Sequence, residues 1–105
     1  MTEFLFNSGG NWIAFRWSRE DKYIFDAKGK WVGWLPWGDA DAVDTNGRYL
    51  GTIVGNRFVA INRPYRGYPG YPGYPGYPGY PRYPGYAGYR SLPSGASDIK
   101  QFKKA

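Results

Sequence analysis

A chain of 105 residues with 16 Gly, 11 Tyr and 9 Pro, but no Cys and no His, has room for one small domain. It lacks the side chains for a structural zinc site, a thiol nucleophile, a Ser-His relay or a histidine pH switch. Its net charge of +6 is unevenly placed: residues 1–62 hold seven basic and seven acidic side chains, whereas from Arg63 onward seven basic residues face Asp98 alone. A basic arm beside a neutral domain either attracts an anionic partner or keeps a tyrosine-rich segment in solution.

The start, Met1 to Asn7, has neither basic residues nor an apolar stretch of export length, and no run in the chain is long enough to span a membrane. The expectation is a soluble, cytoplasmic protein without membrane insertion. From there the chain repeats. Asn7, Asp26, Asp44 and Asn62 recur at spacings of 19, 18 and 18, each ending an apolar run, and in the first three copies a glycine follows three residues later: Gly10, Gly29 and Gly47. Runs rich in β-branched and aromatic residues, joined by a side-chain-capped turn with a residue free to take positive φ, read as β-hairpins. Strands are expected at 3–7, 11–17, 22–26, 30–35, 41–45, 48–54 and 57–62, with Asn46-Gly47 the strongest turn signal. No helical period occurs before the last eight residues.

One ring recurs in register. Trp12, Trp31 and Tyr49 each lie five residues after the Asx, and each is followed two residues on by a small residue, Ala14, Gly33 or Gly51. Large beside small suits the interior of a small closed barrel, with a groove lining as the alternative for some of these rings. A unit of 18 or 19 residues cannot bury its own apolar face, so the repeats must share a core. The expected fold is all-β: a small closed, barrel-like arrangement of four β-hairpin repeats with pseudo-fourfold symmetry, the last hairpin broken at Pro64, followed by a disordered Gly/Tyr/Pro-rich tail. Domain limits fall at 1–63 for the hairpins, 64–97 for the tail and 98–105 for a short basic stub. On its four Asx positions and their Gly-x-ring-aliphatic-small sequels, the segment 3–63 resembles the four-fold β-flower family of small bacterial domains of unknown function. The resemblance implies a fold and carries no catalytic residues.

The chain offers little chemistry. Asp39, Asp41 and Asp44 alternate beside Pro36-Trp37-Gly38, but the longer ligand series of a calcium loop is missing, and no metal or other cofactor is expected. No phosphate-cradling loop is present, and no carboxylate pair stands out for acid-base work, so the chain reads as a non-enzyme. Trp34 and the loop residue Trp37 are the candidate contact surface of the domain, with Trp37 folded back over one end of the barrel as the alternative.

From Gly67 the triplet Gly-Tyr-Pro repeats five times before Arg82-Tyr83-Pro84, Gly85-Tyr86-Ala87 and Gly88-Tyr89-Arg90. Such a segment forms no core of its own and is biased to polyproline II, which lines its tyrosines along one side. The triplets are too few, and too interrupted, for a collagen triple helix. Tyr68, Tyr71, Tyr74, Tyr77, Tyr80, Tyr83, Tyr86 and Tyr89, with Arg82 and Arg90, form a ladder of weak stickers suited to self-association or to tethering a protein partner. Single-stranded RNA is the alternative partner, its bases stacking on the rings, although no basic residue occurs between Gly67 and Pro81. The final stub, from Asp98, is too short to hold a helix and is expected to fray.

Overall fold

The computed structural model describes residues 2–64 and 66–100. Eight strands follow in chain order: β1 (Glu3–Phe6), β2 (Trp12–Arg16), β3 (Tyr23–Asp26), β4 (Trp31–Trp34), β5 (Asp41–Asp44), β6 (Tyr49–Val54), β7 (Arg57–Ile61) and β8 (Ala96–Asp98). Each pairs antiparallel with the next, and a parallel bridge from Phe6 to Arg57 closes β1 onto β7. The result is a closed seven-stranded barrel with β8 added to β7. No helix long and apolar enough to cross a membrane occurs among the described residues.

The Asx residues build the turns as their spacing requires. The Asp26 carboxylate accepts the amides of Lys28 and Lys30, both at 2.9 Å, and Asp44 does the same for Asn46 and Arg48 at 2.9 and 3.0 Å. Asn7 accepts from Asn11 at 3.0 Å. In these three copies the glycine three residues on donates back to the Asx carbonyl and takes φ between 85° and 90°, a conformation that a side chain disfavours. The copies also share a β-bulge, which falls at Leu5/Phe6, Ile24/Phe25 and Ala42/Val43.

That bulge corrects the expected placement of the recurring rings. Strict alternation puts Trp12 and Ala14 on one face, but the extra residue of the bulge brings Ile13 and Ala14 together into the interior, where Leu5, Ile24, Leu35, Ala42, Leu50, Phe58 and Ile99 join them. The rings go to the other side of the sheet. Trp31 lies in a second cluster with Phe15, Phe25, Trp34 and Val43, Trp12 packs against it, and Tyr49 is 38% exposed. The barrel lumen is therefore filled by aliphatic side chains and Phe58, and its outside carries an aromatic girdle.

The fourth hairpin is completed from far away in the chain. Its second strand is β8, with Val59, Ala60 and Ile61 opposite Asp98, Ser97 and Ala96. Residues that the sequence divides between tail and stub thus extend the sheet, because β7 otherwise presents an unpaired edge over 59–61. Ile99 follows β8 into the interior, where its Cδ1 occupies the space a Cβ on Gly51 would need. Residues 101–105 of the expected stub lie outside the described residues.

Candidate binding surface

Between β7 and β8 the chain forms no helix or strand from Arg66 to Pro93, as its composition leads one to expect, yet it is seated on the barrel. Expected disorder therefore holds only in part, because the outer girdle gives the segment something to pack on. Nor is it regular polyproline II. Gly67, Gly70, Gly73, Gly76, Gly79, Gly85 and Gly88 take φ between 82° and 91°, whereas that helix needs about −75° at every residue.

The segment passes over the hairpins in reverse order. Tyr68 lies against Gly47 of the third turn, Tyr77 against Gly29 of the second, and Gly88 against Gly10 of the first, so close that a Cβ on Gly10 would stand 2.5 Å from the Gly88 backbone. Between these points the rings of Tyr71 and Tyr74 flank Trp31 at 5.7 and 5.8 Å, and those of Tyr80 and Tyr83 flank Trp12, both at 5.9 Å. Tilted and edge-on geometries of this kind favour aromatic pairs beyond their buried area. The docking pattern recurs every nine residues of tail, which is three triplets, for every 18 or 19 residues of barrel. Trp12 and Trp31 keep their own indole N–H groups occupied, donating at 2.8 Å to the carbonyls of Ala14 and Gly33.

Both ends of this belt are clamped by arginine. At its root Arg66 donates to Asp39 at 2.7 Å and Asp41 at 3.1 Å, and stacks over Trp37 at 4.2 Å. Arg63 pairs with Asp41 at 3.3 Å. Asp41, 6% exposed, also accepts the Thr52 hydroxyl at 2.8 Å, and Thr52 meets Tyr49 Oη at 2.6 Å, to which the Ile61 amide donates. The hydrogen bond from Arg66, and then the amide of Asp41, hold the Asp39 carboxyl below the usual aspartate range. A cleft of about 410 Å³ lined by Asp39, Ala40, Asp41, Arg63, Pro64 and Arg66 is thus occupied by charges that already neutralise one another.

At the far end Arg57, 5% exposed, spreads its guanidinium over the carbonyls of Asn7 at 2.9 Å, Gly88 at 2.8 Å and Ala87 at 3.4 Å. The Ala87 and Arg90 amides donate to Gly10 and Ser8 at 2.9 Å. Ser8 in turn donates twice to the Asp98 carboxylate of β8, which joins the first turn, the belt and the last strand.

The residues singled out by sequence separate into two groups. Trp34 is buried in the girdle, and Trp37, half-buried, holds the root of the belt through Arg66. The eight tail tyrosines lie on one continuous ribbon and remain between 59% and 74% exposed even where one edge meets the barrel. Arg82 and Arg90 are exposed beside them. Sequence reasoning missed Arg57, Arg63 and Ile99; it considered Asp41 only as part of an acidic cluster and Arg66 only as a sticker beside the tyrosines, not as partners. The available signals were two arginines at the tail's root, an acidic cluster elsewhere in the chain to pair with them, and a lone isoleucine after Ser94-Gly95.

Comparison of the chain with protein-family models, with curated proteins and with solved structures finds no match in any of the three.

Proposed function

We propose that the protein is a non-catalytic binding and assembly module, in which a small barrel presents its own Gly/Tyr/Pro ribbon as a multivalent Tyr/Arg surface. One observation carries this reading: eight tyrosines stay well over half exposed on a backbone that is fixed to the barrel. Fixing the ribbon removes chain entropy in advance, so each exposed Arg–Tyr contact, worth about 0.5–1 kcal/mol, costs less to form. Several in parallel then give measurable association without any single strong contact. The resemblance to four-fold β-flower domains belongs to the same proposal, and bulges recurring at equivalent positions in three hairpins support it.

Analytical ultracentrifugation over a dilution series tests this. The full chain should associate with rising concentration, and a variant carrying Arg82→Ala, Tyr86→Ser and Tyr89→Ser should associate several-fold more weakly. A full chain that stays monomeric throughout, like the variant, rejects the reading. The exposed rings also suit single-stranded RNA. Two of the seven basic residues from Arg63 onward, Arg63 and Arg66, are already paired with carboxylates, which weighs against it. A gel shift that vanishes at moderate salt would turn the assignment toward nucleic acid.

A further inference from the structure

The fourth hairpin is discontinuous, with residues 62–95 between its two strands. Among the described residues, the contacts that hold β8 and the belt beyond its root belong to a surface that every other copy of the chain also presents: the edge of β7, the space beside Gly51, the rings of Trp12 and Trp31, the Arg57 guanidinium, and the polar groups of the first turn. The arm of a second copy finds the same contacts there. We infer that the girdle and the β7 edge form a receptor for the segment 66–100 that accepts the arm of a second copy, so that copies assemble by exchanging arms. This rests on the proposed assembly function and gives it a defined interface.

Three observations favour exchange over a permanently closed arm. First, each contact that the arm makes with the girdle and with β7 can be made equally by the arm of a second copy, so only chain connectivity separates the two states. Second, the root of the arm is held by Arg63 and Arg66, whose side chains are 43% and 35% exposed. The Arg66–Asp39 pair, with the Asp39 side chain 48% exposed, resists opening weakly, and the Asp41 side chain, 8% exposed, keeps the Thr52 hydroxyl when the arginines lift. Third, the arm is recognised by register as well as by stickiness. Tyr71 and Tyr74 at Trp31 are repeated nine residues later by Tyr80 and Tyr83 at Trp12, so an incoming arm docks over two hairpins in one phase.

The chain has no cysteine, which makes a direct test clean. Ala60 and Ser97 face each other across β7 and β8, at a separation that suits a disulfide in antiparallel pairs. Full-length Ala60→Cys and Ser97→Cys chains, one carrying an affinity tag, are unfolded, refolded together at ~1 mM, comparable to the effective concentration of a tethered arm, then diluted and oxidised. Arm exchange yields the Ala60→Cys to Ser97→Cys heterodimer several-fold above either homodimer. It also exceeds an Ala60→Cys and Ser91→Cys control, and its yield falls when refolding is done dilute. The double variant Ala60→Cys/Ser97→Cys, oxidised dilute, should close within one chain and so shows that the substitutions leave the β7–β8 pair intact.

A heterodimer no more abundant than the control at every concentration, with the double variant closing in cis, overturns the exchange. If the ultracentrifugation series still shows association, the assembly function stands without it; if not, both fall. Failure of the double variant to close removes β8 from β7 and overturns the inference outright.

Discussion

The contact between Gly51 and Ile99 decides whether the last strand belongs to the core. Ile99 is 4% exposed, and its Cδ1 stands where an alanine methyl at position 51 would go. Ile99→Ala removes three carbons at about 0.8 kcal/mol each, and the cavity left behind brings the cost to roughly 3–4 kcal/mol. Gly51→Ala overpacks the same point and should cost about 1–3 kcal/mol. In the double variant the new methyl occupies the space vacated by Cδ1, so the cost should fall short of the sum by about 1–2 kcal/mol. Complete rescue is not expected, because the added Cβ also meets the Val59 carbonyl oxygen at 3.1 Å, a backbone contact that Ile99→Ala does not relieve. Urea unfolding of the four chains, followed by tryptophan fluorescence, measures the cycle. Additivity within about 0.5 kcal/mol would mean that the two residues do not touch and that β8 is not seated as described.

Arg57→Lys should cost about 2–3 kcal/mol, since one ammonium cannot reproduce a fork shared among the carbonyls of Asn7, Ala87 and Gly88. Faster hydrogen exchange at the Ala87 and Arg90 amides would mark the loss locally, and unchanged exchange would argue against the clamp. Thr52→Val leaves Asp41 short of a buried donor and Tyr49 short of a partner, for an expected loss of about 1–3 kcal/mol in the same urea assay. The Asp39 pKa is lower folded than unfolded, so its contribution is fully present above the unfolded value of about 4 and is lost as the pH falls through the folded one. The Trp37 indole resonance should therefore titrate only below about pH 4, and the same titration in Asp39→Asn would show that another group is responsible.

The seven strands of the barrel were legible because their signals are local. Observed ends differ from the expected ones by at most one residue, since within three of the hairpins the Asx side chain and its glycine define the turn within five residues. What failed was non-local. Strict alternation misassigned Trp12 and Trp31 because the bulge that turns them outward depends on pairing with the opposite strand. Ala96-Ser97-Asp98 carries no strand signal of its own, and becomes one only because Pro64 ends the fourth repeat and leaves β7 without a partner over 59–61. The tail's docking escaped for the same reason: its triplet period is visible in the sequence, but the surface it matches exists only after the hairpins have closed.

If the belt is measured against the barrel, its length in triplets is a structural quantity and not a matter of linker convenience. Deleting Gly76, Tyr77 and Pro78 joins Pro75 to Gly79, removes the Tyr77 contact at Gly29, and leaves the neighbouring triplets and both tryptophan-flanking tyrosine pairs unchanged in sequence. The path from Trp31 to Trp12 is nevertheless shortened by up to about 10 Å. A belt still fixed at Arg66 and Trp31 then cannot bring Tyr80 and Tyr83 to Trp12, Gly88 to Gly10 and Ile99 to Gly51 together. The contact released most readily is the three-residue β8, and with it goes Ile99, so stability should fall by about 3 kcal/mol. Amides at the β7 edge should exchange as fast as those of a free strand edge, while the amides of β1 to β6 keep their relative protection. A simple tether has no such sensitivity, because removing three residues from a flexible connection of more than thirty changes its closure entropy by only about 0.1 kcal/mol. Unchanged protection at Val59 and Ile61 in the deleted chain would therefore show that the nine-residue correspondence between tail and hairpins has no structural force.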